Sequence, residues 1–415
     1  MSQTHPTRPG AYNRRVALVL QGGGALGSYQ AGVYDALADS PYQPDWVAGI
    51  SIGAINAAII AGNDPKDRVD QLRRFWERIT PWPFDWPAFN DRTGALRQQL
   101  SAQTTMMLGQ PGFFAPRPLW SWFAATTPIS YYDTAALKTT LEELVDFERI
   151  NAPEGTRLSV GAVNVRTGRF AYFDSDNIKI RPEHIIASGA LPPGFPAVEI
   201  DGEMYWDGGL VSNTPLAHVI DHFPRQSLLT FQVDLFQGYG RVPDTLDEVA
   251  EREKDIRYSS RTRIVTDYIA EKHEVRHAIN DLLAKLPPEV ACLPEAQKLD
   301  RLACVSEMDI VQLIYRPFGP QGSSKDYEFS RATMEARWKE GKSDAKATLK
   351  AAPWLEPKPK EIGVRMFDVM HEILTKRKNP LAAPLDEIIG DAVDEPADVA
   401  GGTVGEKPQR KRVVR

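Results

Sequence analysis

Asp45-Trp46-Val47-Ala48-Gly49-Ile50-Ser51-Ile52-Gly53-Ala54-Ile55-Asn56-Ala57-Ala58-Ile59-Ile60-Ala61-Gly62 reads as a short buried strand, a sharp turn at Ser51, and a helix of small and apolar residues that stops at Gly62. Gly49-Ile50-Ser51-Ile52-Gly53 is the G-x-S-x-G pattern of a nucleophile elbow. In such an elbow the serine backbone is strained, so the neighbours two positions before and after it must lack bulk. The serine side chain then points out of the sheet edge, above a helix N-terminus. Five residues alone carry little information. The strand before them and the helix after them give the pattern its weight.

Upstream, Val16–Leu20 is the first strand, followed at once by Gln21-Gly22-Gly23-Gly24-Ala25-Leu26-Gly27 and a helix running to about Asp39. Leu26, Tyr29, Val33 and Leu37 share one face of that helix. Gly22 to Gly27 satisfies the dinucleotide fingerprint G-x-G-x-x-G literally, between a strand and a helix as that motif requires. The second strand argues against a nucleotide. A ribose-binding acid should end it, whereas Asp45 precedes it and Ser51 follows it. The other use of such a loop is an oxyanion hole. Successive glycine N–H groups at a helix N-terminus favour a developing negative charge.

Downstream, residues 75–123 hold eleven of the chain's 38 aromatic residues, more than twice an even share. Prolines 81, 83, 87, 111, 116 and 118 are expected to break any long helix there. The segment reads either as an irregular cap or as a lid or rim that touches lipid. Leu137–Phe147 reads as an amphipathic helix, Arg157–Val165 and Arg169–Asp174 as strands. Ala187-Ser188-Gly189-Ala190-Leu191-Pro192-Pro193 reads as a helix end broken by prolines. Val198–Ile200 and Met204–Trp206 form a hairpin over Asp201-Gly202. It runs into Asp207-Gly208-Gly209-Leu210-Val211-Ser212-Asn213-Thr214-Pro215. Ser227–Leu235 is a further strand.

The chain is 415 residues with 42% hydrophobic and 25% charged content, ordinary values for a globular protein. The expected organisation is a flexible arm (1–13), a main domain (14–236) and a helical insertion (244–303). A strand and helix rejoining the main domain (305–352) and a disordered tail (380–415) complete it. A net charge of -6 makes no case for nucleic acid. Cys292 and Cys304 cannot form a disulfide framework and suit a reducing compartment. The seven histidines lack ligand spacing, so no metal is indicated. No apolar run is long enough for a membrane span. Arg14-Arg15 before an apolar run of five residues reads as the entry to the first strand rather than an export signal. A cytoplasmic location is expected, with peripheral membrane contact through 75–123; oligomeric state is open.

A serine nucleophile needs a base. His184, His218, His222, His273, His277 and His371 are the histidine candidates, and none follows a glycine-rich strand end. Asp207 does end a strand with two glycines behind it, and a carboxylate hydrogen-bonded to Ser51 could take its proton. Burial would have to raise its pKa for that work near neutrality. Together these residues resemble the patatin-like phospholipase family. The similarity lies in Gly22-Gly23-Gly24-x-x-Gly27 as oxyanion loop, Gly49-x-Ser51-x-Gly53 as elbow and Asp207-Gly208-Gly209 carrying the catalytic acid. Ala187-Ser188-x-x-x-Pro192 resembles the family's fourth motif. The resemblance covers about residues 14–236, with 305–352 rejoining. It implies a Ser-Asp dyad on a three-layer α/β/α fold with a central, mostly parallel sheet, acting on lipid acyl esters without metal or cofactor. Many members carry Arg or Lys where this chain has Leu26, so a neutral ester stands beside a phospholipid as substrate. The alternatives are an acyltransferase, which would want a histidine near Ser51, and a non-catalytic lipid-binding protein.

Overall fold

The computed structural model describes residues 14–80, 91–123, 128–222, 224–317, 321–357 and 363–378. The expected arm (1–13) and tail (380–415) lie outside these residues. So do Trp82, Phe84, Trp86 and Phe89 of the aromatic segment.

The first half of the chain runs β1 (Arg15–Leu20), α1 (Gly27–Ala38), β2 (Trp46–Gly49), α2 (Ile52–Ala61), α3 (Arg68–Ile79), α4 (Asp91–Leu108), β3 (Ala115–Pro116), β4 (Tyr132–Asp133), α5 (Ala135–Leu144) and α6 (Phe147–Ile150). It continues through β5 (Arg157–Asn164), β6 (Phe170–Asp174), α7 (Pro182–Ser188), β7 (Val198–Ile200), β8 (Glu203–Asp207), α8 (Leu216–Asp221) and β9 (Leu228–Asp234). Beyond these come α9 (Leu246–Leu283), α10 (Pro288–Ala291), α11 (Pro294–Asp300), β10 (Met308–Ile314), α12 (Arg331–Ala351), β11 (Val364–Phe367) and α13 (Val369–Lys378).

The main sheet has the order β11-β10-β9-β1-β2-β5-β8-β7, with β6 also on β5. Pairings from β11 across to β5 are parallel, and the β5–β6, β5–β8 and β7–β8 pairings are antiparallel. Parallel strands must be covered on both faces, and β1 records this in its alternation. Val16, Leu18 and Leu20 enter a core shared with α1, α2, α3, α5 and α12. Ala17 and Val19 enter a second core with Leu216, Val219 and Ile220 of α8 and Ile269 of α9. The fold is a three-layer α/β/α sandwich.

Two helices fix the end of the sheet nearest the glycine loop. α1 and α12 approach so closely that a Cβ on Gly32 would meet the Trp338 carbonyl oxygen at 2.0 Å, and one on Gly341 the Tyr29 oxygen at 2.1 Å. The residues around 331–351 are therefore part of the main body. Expectation and structure part at α4: its 18 residues lie between Pro87 and Pro111, a proline-free interval long enough for five turns. The strand β11 and helix α13 also lack a counterpart in the sequence reading. β11 completes the parallel edge by pairing with β10, a contact no local pattern announces.

Candidate active site

The parallel strands β1 and β2 deliver their C-terminal ends side by side, Leu20 against Gly49. The chain leaves β2 through Ser51, whose φ of 55° and ψ of -123° are rare for a residue with a side chain. This strain is stored where a functional group must be held. Its neighbours explain the glycine spacing. A Cβ on Gly49 would lie 2.2 Å from the Gly53 carbonyl oxygen, and one on Gly53 2.4 Å from that of Leu20. Below Ser51 the amides of α2 begin, with their partial positive charge.

Ser188, in the last turn of α7, buttresses the elbow. Its buried hydroxyl accepts the Ser51 N–H at 3.1 Å and donates to the Gly161 carbonyl at 2.7 Å. The motif Ala187-Ser188-x-x-x-Pro192 thus acquires a physical role, that of holding the Ser51 backbone.

Asp207 arrives at the end of β8 and is 3% exposed. The Gly209 amide donates to its Oδ1 at 2.7 Å, and a side-chain hydrogen bond joins it to Ser51. Desolvation dominates and pushes its pKa up to about 7, against the lowering effects of Gly209 and Ser51. Gly208 packs where a Cβ would lie 2.6 Å from the Gly161 oxygen, so the Asp-Gly-Gly turn seats against β5.

The amides of the glycine loop are used unevenly. The Gly22 N–H donates to the Asn213 carbonyl at 3.1 Å, and Asn213 Nδ2 returns a bond to the Gly22 oxygen at 2.8 Å. The Gly27 amide turns back to the Gly24 carbonyl. Gly22 and Gly27 serve as close-packing positions, Gly22 beside Ser51 and Gly27 against Ile52 and Trp76. The amides of Gly23 and Gly24 make no hydrogen bond among the described residues. Gly24 has φ 55°, and Asp326 holds it from outside: its carbonyl oxygen accepts the Ala25 N–H at 2.9 Å. Asn213 and Asp326 escape sequence reasoning. Asn213 lay in the stretch after Asp207 but had no motif of its own; Asp326 had no signal at all.

These groups open on a cavity of about 310 Å³. Its walls are apolar: Phe113, Phe114, Tyr132, Phe195 and Phe329 pack ring against ring at 5.0–6.3 Å between centroids. The aromatic segment 75–123 therefore divides. Phe75 and Trp76 are core, Phe113 and Phe114 line the cavity, and Trp120 and Phe123 are 73% and 88% exposed. Tyr132, in the wall, donates to the Met106 carbonyl at 2.8 Å, and Trp122 lies 6.0 Å from Tyr131. The end of α4 and the strand pair β3–β4 thus form one rim. From Leu100 to Tyr132 the only charged residue is Arg117.

Among the described residues, no histidine lines the cavity. His218 bonds Asp174 at 2.9 Å, and His222 lies against Arg157. His184 accepts the Arg181 amide, His273 and His277 sit beside Ser306, and His371 stacks on Tyr239. Among the described residues there is no cluster of His, Cys, Asp and Glu that could hold a metal ion, and no helix long and apolar enough to cross a membrane.

Two family models match the chain, one described as patatin-like phospholipase over residues 18–220 and one described as patatin phospholipase over residues 256–361. None of the curated proteins matches it. Among solved structures, VipD from Legionella pneumophila is similar at 15% identity, covering 91% of this chain and 79% of that one with a TM-score of 0.34. The ExoU–SpcU complex from the type III secretion system of Pseudomonas aeruginosa gives 16% identity over 92% of this chain and 67% of that one, with a TM-score of 0.25. Both likenesses are too distant to transfer geometry to this site.

Proposed function

Because the chain belongs to the patatin-like phospholipase family, and is thereby a lipid ester hydrolase, we propose that it works through an acyl-enzyme on Ser51 with Asp207 as its general base. The observation that carries this reading is a buried Asp207 bonded to Ser51, its pKa near 7, in a cavity that no histidine lines among the described residues. Ser51 Oγ attacks the ester carbonyl carbon while its proton passes to the Asp207 carboxylate. The tetrahedral oxyanion lies against the Gly23 and Gly24 amides, which are fixed before the charge forms. Collapse breaks the bond to the alcohol, which leaves with the proton from Asp207. Water then attacks the acyl-enzyme, giving its proton to Asp207, and the acid is released as Ser51 recovers that proton. The aromatic walls suit an acyl chain. An acyltransferase with a histidine base has no support from the residues lining this cavity.

The test is labelling of the intact protein with a fluorophosphonate, followed by peptide mapping. A phosphonate adduct on the peptide containing Ser51 is expected, together with release of fatty acid from an ester substrate. Labelling elsewhere, or none, would remove the proposal.

The rim is proposed to rest on a lipid surface, since its exposed apolar residues adjoin the cavity that would receive the acyl chain. Converting Met107, Trp120 and Phe123 to glutamine should lower turnover of aggregated lipid by about tenfold or more, given the transfer free energy of such side chains. Hydrolysis of a short soluble ester should change far less. Equal losses on both substrates would make the rim a structural cap.

A further inference from the structure

We infer that this site selects electrically neutral esters, and that the Asp326 side chain determines the selection; the inference rests on the acyl-hydrolase reading above and names its substrate class. Among the described residues, two that bear carboxylates, Asp207 and Asp326, line the cavity, and no lysine, arginine or histidine does. A phosphate carried into this apolar space would lose its hydration and find no cation in return.

The neighbouring ammonium groups are already matched. Lys254 Nζ bonds Asp326 Oδ1 at 2.7 Å and the Ser323 carbonyl at 2.7 Å. Lys325 is 2% exposed and turned to Asp255 at 2.6 Å and Glu251 at 3.3 Å. Leu26 is fully buried in the main core, so the glycine loop brings no charge to the cavity either.

Asp326 is also held in place. The Gln321 and Gly322 amides donate to Glu251, and the Ser323 hydroxyl donates to Asp247 at 2.6 Å, which ties the turn to α9. Its two ends do different work. The main-chain oxygen clamps the oxyanion loop through Ala25, whereas the carboxylate occupies Lys254. Its Cβ lies 3.7 Å from where a Cβ on Gly24 would stand, so the side chain starts beside the glycine loop. Changing the side chain alone should alter charge without releasing the loop.

The experiment measures kcat/KM of the full-length protein on 1,2-dioctanoylglycerol and on dioctanoylphosphatidylglycerol, each in the same neutral detergent micelles. The wild type is expected to favour the neutral lipid by at least about 100-fold, within the range that an unmatched buried polar group imposes. In Asp326→Asn the freed Lys254 should lower that ratio by about tenfold. The double variant Asp326→Asn with Lys254→Gln should restore it, and Lys254→Gln alone, which bares the Asp326 carboxylate, should raise it. Comparable wild-type turnover of both lipids, or a ratio unmoved by all three variants, would overturn the inference while leaving the hydrolase reading standing. Turnover of neither lipid would overturn both.

Discussion

Asp207→Asn is expected to slow acylation by roughly 10²–10⁴-fold, the contribution of a positioned general base, while making the folded protein more stable. The two effects share one cause. Burial pushes the Asp207 pKa up to about 7, whereas in the unfolded chain it titrates near the ordinary aspartate value of about 4. Below about pH 4 both states hold the proton and the group contributes nothing. As pH rises from about 4 to 7 the unfolded chain releases its proton and the folded one does not, so stability falls; above 7 the loss is complete. Asparagine cannot ionise, and its oxygen can still accept the Gly209 N–H. The melting temperature of the variant should therefore exceed that of wild type at pH 8, with the gap closing toward pH 4. Wild-type acylation should rise with pH through a single ionisation near 7. A variant within tenfold of wild type, or an ionisation near 4 instead, would dismiss Asp207 as the base.

Ser51→Ala should reduce ester turnover by on the order of 10⁵–10⁶-fold, the scale on which a serine hydrolase suffers when its nucleophile is removed. Fluorophosphonate labelling should vanish with it. Alanine keeps the strained backbone at φ 55°, so Ser51→Gly, equally inactive, should be the more stable of the two by about 1 kcal/mol. Residual hydrolysis above about 1% of wild type in both variants would point to a nucleophile elsewhere.

Both residues were legible in the sequence because their requirements are local. Gly49 and Gly53 flank Ser51 since the elbow folds its own backbone onto itself, and Asp207 announces itself by the strand before it and the glycines after. The three layers were legible for a similar reason: after Arg15, β1 is apolar and buried, and so is β2, as strands covered on both faces must be. Asn213 and Asp326 were not legible. Asp326 acts on the glycine loop through a main-chain carbonyl, which any residue type has, and Asn213 adds a side-chain amide whose partner, the Gly22 oxygen, lies 191 positions away. The division of labour within that loop was hidden too, because Gly22, Gly23 and Gly24 are chemically identical and only the partner across the gap assigns Gly22 to packing. The helix α4 was missed by weighing the number of prolines rather than the interval between them.

The clamp at Asp326 has a consequence in time. Asp326, which holds the glycine loop, follows Ser51 by 275 positions, and at about 5–20 residues per second a ribosome needs roughly 15–55 s to cover them. Throughout that interval the nascent chain carries Ser51, and later Asp207, but lacks the carbonyl that holds Ala25 and the helix α12 that packs on α1. Stalled chains released before residue 321 should accordingly be unreactive toward fluorophosphonate, whereas chains extended past 351 should label. Strong labelling of the shorter chains would mean that the loop sets itself. If it does not, the order of synthesis keeps Ser51 idle until the turn at Asp326 and the helix α12 have been made.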